Sequence, residues 1–307
     1  MFRQDSSEAG HQPVTISSGH SLLECPRWHN GRLYASDFFA HRVLVWTDDE
    51  SEVVCEVPGR PAGLGWDLDD NLLIVSMVDQ RLLSFVGGAL TEVADLSPYA
   101  SWRCNDMVVD ADGGAYVGNF GWDATLDPTI RPTSLVRVET SGDAAGEVTV
   151  VADELVCPNG MAITPDGRTL LVNETFAARV TAFDRASDGS LTNRRVWASF
   201  SERPFGTSLE AAAAGVILPD GMALCEDGAI WLADCRGSGA SRVAEGGAVL
   251  DYVPTGDRAT FACALGGSDR RTLYLTTARP YPLGRPAEEA VSDLRRCPVD
   301  VAGAGRP

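Results

Sequence analysis

Asn105, Asn159 and Asp220 each stand seven positions before a turn aspartate, Asp112, Asp166 and Asp227. Around them the chain repeats one phrase: Asn159-Gly160-Met161 leads to Asp166-Gly167, Asp220-Gly221-Met222 to Asp227-Gly228, and Asn105-Asp106-Met107 to Asp112-Gly113. Glu24, six residues before the Asn30-Gly31 turn, occupies the matching place in a slightly shorter copy. Two carboxylates and two amides are hard oxygen donors of the kind that hold Ca²⁺, Mg²⁺ or Mn²⁺ and leave room for water or substrate. Any one copy taken alone is also an ordinary turn whose side chain bonds its own backbone. Four polar residues in matched register point instead to a shared site. Two further copies read with alanine there, Ala62 before Asp69-Asp70 and Ala262 before Asp269.

What must position these residues is the repeat itself. Short strands and glycine turns at a spacing of roughly 40 to 45 residues are the mark of an all-β propeller built of four-stranded antiparallel blades. Six blades are expected, with the innermost strand of each starting at one mouth of a central channel so that equivalent residues converge on the axis. The sixth blade lacks a fourth strand of its own. The strand around Val14 to Ile16 is expected to supply it, closing the ring and removing an exposed edge. Residues 1–12 read as a disordered tail and 13–307 as a single propeller domain. An insertion, Gly121 to Pro132, separates the second and third strands of blade three and is placed to act as a lid. Ser208 to Ala214 reads as a helical turn by propensity.

Composition narrows the chemistry. All 25 basic residues are arginine, which excludes a Schiff-base lysine, a pyridoxal phosphate anchor and a Gly-Lys-Ser/Thr phosphate loop. The four histidines lie within the first 41 residues, so a three-histidine metal site would have to come from that segment. A net charge of −18 argues against nucleic acid and anionic membrane as partners and attracts cations. The partner expected is a small molecule, with oligomeric state left open. No 18-residue apolar run is present and the N-terminus lacks the apolar core of a signal peptide, so a cytoplasmic location is expected. Eight scattered cysteines without a Cys-x-x-Cys pair read as reduced, mostly buried residues.

Arg103 lies two residues before Asn105, which puts both on one face of an extended segment. It is placed to clamp a carboxylate or to bridge hydroxyls, or else to pair with a neighbouring blade. Asn119 closes its second strand at the same mouth and is a candidate substrate contact. Trp102 and Trp122 would make an apolar wall there or pack in the core. Asp67 to Asn71 resembles the start of a calcium loop, but the sixth position is Leu72 where glycine is needed, and it reads as a hairpin.

Leu23-Glu24-Cys25-Pro26-Arg27-Trp28, Arg103-Cys104-Asn105-Asp106, Pro158-Asn159-Gly160-Met161 and Leu218-Pro219-Asp220-Gly221-Met222 together resemble the regucalcin (senescence marker protein)/gluconolactonase family, over roughly Gly19 to Asp300. The resemblance implies a six-bladed propeller with one divalent cation held by Glu24, Asn159 and Asp220, Ca²⁺ first and Mg²⁺, Mn²⁺ or Zn²⁺ also compatible. It implies that Arg103 and Asn105 position a sugar lactone. Where some members carry a glutamate after the second strand of blade three, this chain has Asn119-Phe120-Gly121-Trp122, a departure that bears on the substrate. The activity expected is metal-dependent hydrolysis of a sugar-derived or related lactone with Asp220 as general base. An aryl esterase or phosphotriesterase on the same metal, or a propeller that only binds metal or a partner, is the alternative.

Overall fold

The computed structural model describes residues 11–201, 217–279 and 291–304. The first ten residues of the expected tail, and the expected helical turn at 208–214, lie outside the described residues. The described chain opens on β1 (Val14–His20), and blade one follows as β2 (Leu23–His29), β3 (Arg32–Asp37), β4 (Arg42–Thr47) and β5 (Glu50–Glu56). Blade two is β6 (Pro61–Trp66), β7 (Leu72–Ser76), β8 (Arg81–Val86) and β9 (Ala89–Asp95). Blade three is β10 (Cys104–Val109), β11 (Gly114–Asn119), β12 (Thr133–Glu139) and β13 (Val148–Leu155). Blade four is β14 (Pro158–Ile163), β15 (Thr169–Glu174), β16 (Arg179–Arg185) and β17 (Leu191–Ser199). Blade five is β18 (Pro219–Leu224), β19 (Ile230–Asp234), β20 (Gly239–Val243) and β21 (Val249–Pro254). Blade six is β22 (Ala259–Gly266), β23 (Thr272–Ala278) and β24 (Ser292–Pro298), with β1 as its fourth strand.

Every sheet is antiparallel, and the ring closes as the sequence led us to expect. β1 pairs with β24, Val14 opposite Arg296 and His20 opposite Ser292. The first strands touch in a circle, β2 to β6, β10, β14, β18, β22 and back to β2. Composition explains the radial order. β10, β14 and β18 are buried at every position, whereas β5, β9 and β21 carry the exposed residues of each blade. Near its start each first strand shifts register against its second strand, between Pro158 and Met161 in blade four and between Pro219 and Met222 in blade five. A bulge of this kind bends the strand and re-aims its side chains, here at the residues singled out by the repeat.

Glycine sets how closely the inner strands approach. A β-carbon on Gly160 would stand 2.6 Å from the Asp220 carbonyl oxygen and from the Met222 nitrogen. Only a residue without a side chain lets β14 lie that near β18, and this contact sets Asn159 beside Asp220.

Candidate active site at the propeller mouth

One backbone bond, repeated blade by blade, fixes which residues are equivalent. The residue after the second strand donates its N–H to the carbonyl of the residue just before the first strand: Phe38 to Leu22, Met77 to Arg60, Phe120 to Arg103, Thr175 to Cys157 and Cys235 to Leu218, at 2.8 to 3.3 Å. Two residues beyond each acceptor come Glu24, Ala62, Asn105, Asn159 and Asp220. In blade six Ala259 pairs with Ala278 as Pro158 pairs with Glu174, so the equivalent residue is Thr260. The alignment of Ala262 to this place is therefore corrected. The hairpin of blade six runs past Gly267 before β23 begins at Thr272, and Asp269 is not the equivalent turn residue.

The polar members of this ring are almost fully buried: Glu24 is 8% exposed, Asn105 4%, Asn159 8% and Asp220 7%. Burial pushes the Glu24 carboxyl well above its usual range, and the Asp220 and Asp106 charges push it further. Asp220 is raised in the same way, first by burial and then by Asp106, against a hydrogen bond from Asn159 that favours its charged form. The Asn159 amide also donates to Thr175 Oγ1 at 3.2 Å, and that hydroxyl donates to the Pro219 carbonyl at 2.8 Å, tying blade four to blade five at the residue before Asp220. Asn105 Nδ2 is buried without a hydrogen-bond partner among the described residues. An unpartnered amide at such a place is costly unless a ligand meets it.

These residues fit a divalent cation. Two carboxylates that disfavour each other's charge, joined by an amide oxygen, form a donor set that a hard cation stabilises. Among the described residues no group of three or more histidine, cysteine, aspartate and glutamate side chains could hold a metal, so the candidate set is a mixed one that includes amides.

Sequence reasoning missed what lies directly beneath. Arg27 Nη2 donates to Asp106 Oδ1 at 2.5 Å and to the Met107 carbonyl at 2.8 Å, so the third carboxylate of the region is paired. Farther along the channel Arg27, Met161, Met222 and Cys263 line a cavity of about 50 Å³ that no carboxylate faces. The available signal was Arg27 itself, a cation three residues after Glu24 in a first strand expected to line the axis, where burial demands an acidic partner.

The remaining candidates divide. The Arg103 guanidinium lies 5.4 Å from the centre of the Trp102 ring. It also contributes to the lowered pKa of Asp123, behind the Thr125 hydroxyl. Arg103 is half-buried at the mouth. Asn119 is revised: its Oδ1 accepts from Gly121 N–H and Thr133 Oγ1, its Nδ2 donates to the Ser134 carbonyl, and it is 1% exposed. Its Oδ1 and one Nδ2 hydrogen brace the insertion. Asp37, Glu174 and Asp234, at the ends of their second strands, likewise accept N–H groups of Leu22, Val156 and Leu218. The insertion after Asn119 packs Trp122 and Ile130 against Val156 and Cys157, and Trp122 meets Phe176 edge-on at 5.5 Å. Asp67 caps its hairpin by accepting from Asp69 and Asn71 N–H, as the turn reading expected. All eight cysteines are free. No helix among the described residues is long and apolar enough to cross a membrane.

Residues 22–279 match the family described as SMP-30/Gluconolactonase/LRE-like region. The chain belongs to that family. The pentonolactonase XacC of Haloferax volcanii is 29% identical over 95% of both chains. The 6-deoxy-6-sulfogluconolactonase of Pseudomonas putida is 29% identical over 93% of this chain and 94% of its own. The crystal structure of the calcium-binding protein regucalcin from Agrobacterium tumefaciens superposes with a TM-score of 0.76 at 19% identity, covering 97% of this chain and 96% of that one, a likeness of fold.

Proposed function

We propose that this protein is a hydrolase that opens a lactone to its hydroxy acid, using one divalent cation held by Glu24, Asn159 and Asp220. The observation that carries the reading is the burial of Glu24 and Asp220 in one charged neighbourhood, with Asn159 hydrogen-bonded to Asp220. The names of the two lactonase relatives support it. A cation bound there supplies polarisation of the ester carbonyl and stabilisation of the developing oxyanion.

The chain's own residues do the rest. Asp220 orients the attacking water and accepts its proton, Glu24 and Asn159 being fixed by their surroundings. The Asn105 Nδ2 hydrogens, which meet no protein acceptor among the described residues, are donors for the ring oxygen or a substituent. Arg103, over the Trp102 ring, presents its guanidinium at the rim.

Asp220→Ala is expected to lower lactone hydrolysis in a pH-stat assay by at least about 100-fold, the lower end of general-base contributions, with an unchanged circular dichroism spectrum. A folded variant with full activity overturns the assignment.

A further inference from the structure

The carboxylates that end the second strands and those beside the ring have their charges met, and one guanidinium at the mouth does not. Asp106 is bonded to Arg27. Asp37 accepts from Arg42 Nη2 at 3.0 Å, and Glu174 from Arg179 Nε at 2.8 Å. Asp234 accepts the Leu218 and Arg236 N–H groups at 3.2 and 3.0 Å, and the Arg236 charge favours its ionised form. Glu24 and Asp220 together carry the two charges that a divalent cation balances. Arg103 differs. Half-buried over the Trp102 ring at 5.4 Å, it forms no ion pair among the described residues. Asp123 feels its charge from the insertion, but that carboxylate is engaged by the Thr125 N–H and hydroxyl at 2.9 and 2.6 Å. Two residues beyond Arg103, Asn105 is 4% exposed and its Nδ2 meets no acceptor among the described residues. The start of β10 thus offers two sets of unmet donors, one of them charged, on the blade beside that of Asn159.

We infer that the substrate is a lactone carrying an anionic group, a carboxylate or an anion of like chemistry, bound by the Arg103 guanidinium and the Asn105 amide while the ester faces Glu24, Asn159 and Asp220. This deepens the lactone reading and rests on it. A hydroxyl would accept from these donors and leave the guanidinium charge unbalanced in a partly dry place, whereas an anion satisfies both demands. The planar guanidinium suits a carboxylate, which it can meet through two parallel N–H bonds. With a divalent cation bound, Glu24 and Asp220 are neutralised and do not repel such a group.

Two lactones of one skeleton are compared by kcat/KM on the cation-loaded protein at neutral pH: γ-carboxy-γ-butyrolactone, ionised there, and its neutral γ-carboxamide. The carboxylate should be favoured by about tenfold or more, the scale of one hydrogen bond to a charged group, chiefly through KM. Equal values, or preference for the carboxamide, overturn the inference. Arg103→Gln removes the charge and keeps a donor, and should bring the ratio close to one. A folded variant that keeps the wild-type ratio puts the carboxylate elsewhere and overturns the subsite. If neither lactone is opened, the hydrolase reading fails separately. Calorimetry with pyroglutamate and pyroglutamide then decides the subsite: tighter binding of the anion that is lost in Arg103→Gln supports it, and equal binding of the two contradicts it.

Discussion

Arg27 of blade one is bonded to Asp106 of blade three at 2.5 Å, reaching past the intervening blade two within the channel. The pair is buried, Arg27 8% and Asp106 3% exposed, and sits just below the acidic ring. It keeps a third negative charge from standing uncompensated beside Glu24 and Asp220, both of which feel it.

Removing one partner of such a pair is far worse than removing both. Arg27→Met leaves Asp106 buried and the Met107 carbonyl unbonded, and should cost about 3–5 kcal/mol in a denaturant titration. Adding Asp106→Asn should return most of that loss. A single variant as stable as wild type would show that the pair does not carry the axis.

Thr175 is a positioning residue, since its hydroxyl joins the Asn159 amide to the Pro219 carbonyl. Thr175→Val keeps the shape and deletes both bonds. Ca²⁺ affinity by calorimetry should fall about 10- to 100-fold, the usual effect of losing a group that orients a ligand, with the melting temperature little changed. Affinity equal to wild type would free Asn159 from this support.

Stability should carry an acid limb set by Asp110, away from the mouth. Burial acts to raise its pKa, but the Gly114 N–H at 2.8 Å and Arg185 at 2.6 Å, with Arg137, outweigh it and hold the carboxyl below the ordinary 3.8. The sign follows from linkage: the contribution is complete above the unfolded value and is lost as pH falls from there through the lower folded value. Asp110→Asn should therefore be less stable than wild type at neutral pH, and the gap should close in acid. A gap that stays constant down to acid unfolding contradicts this.

How much of this could be read from the chain depended on whether the signal was local. The blade count, the closing strand from Val14 and the equivalence of Glu24, Asn105, Asn159 and Asp220 were legible because Asn-Gly and Asp-Gly turns fix hairpin register over a few residues. Blade six misled the alignment because its hairpin runs beyond Gly267, and counting back from Asp269 slid Thr260 out of place. Asn119 looked available because its position was right; only the fold reveals that Thr133, Gly121 and Ser134 consume its polar atoms. The Arg27–Asp106 bond joins residues 79 apart in sequence, and no local pattern announces such a pairing.

Lactone hydrolysis by this protein requires one cation shared by Glu24, Asn159 and Asp220. Calorimetric titration of chelator-treated protein with Ca²⁺ and Mn²⁺, repeated on Glu24→Gln, Asn159→Ala and Asp220→Ala, is the direct test. One site per chain that each substitution weakens by at least about tenfold is the expected result. Binding unchanged in all three folded variants would contradict it.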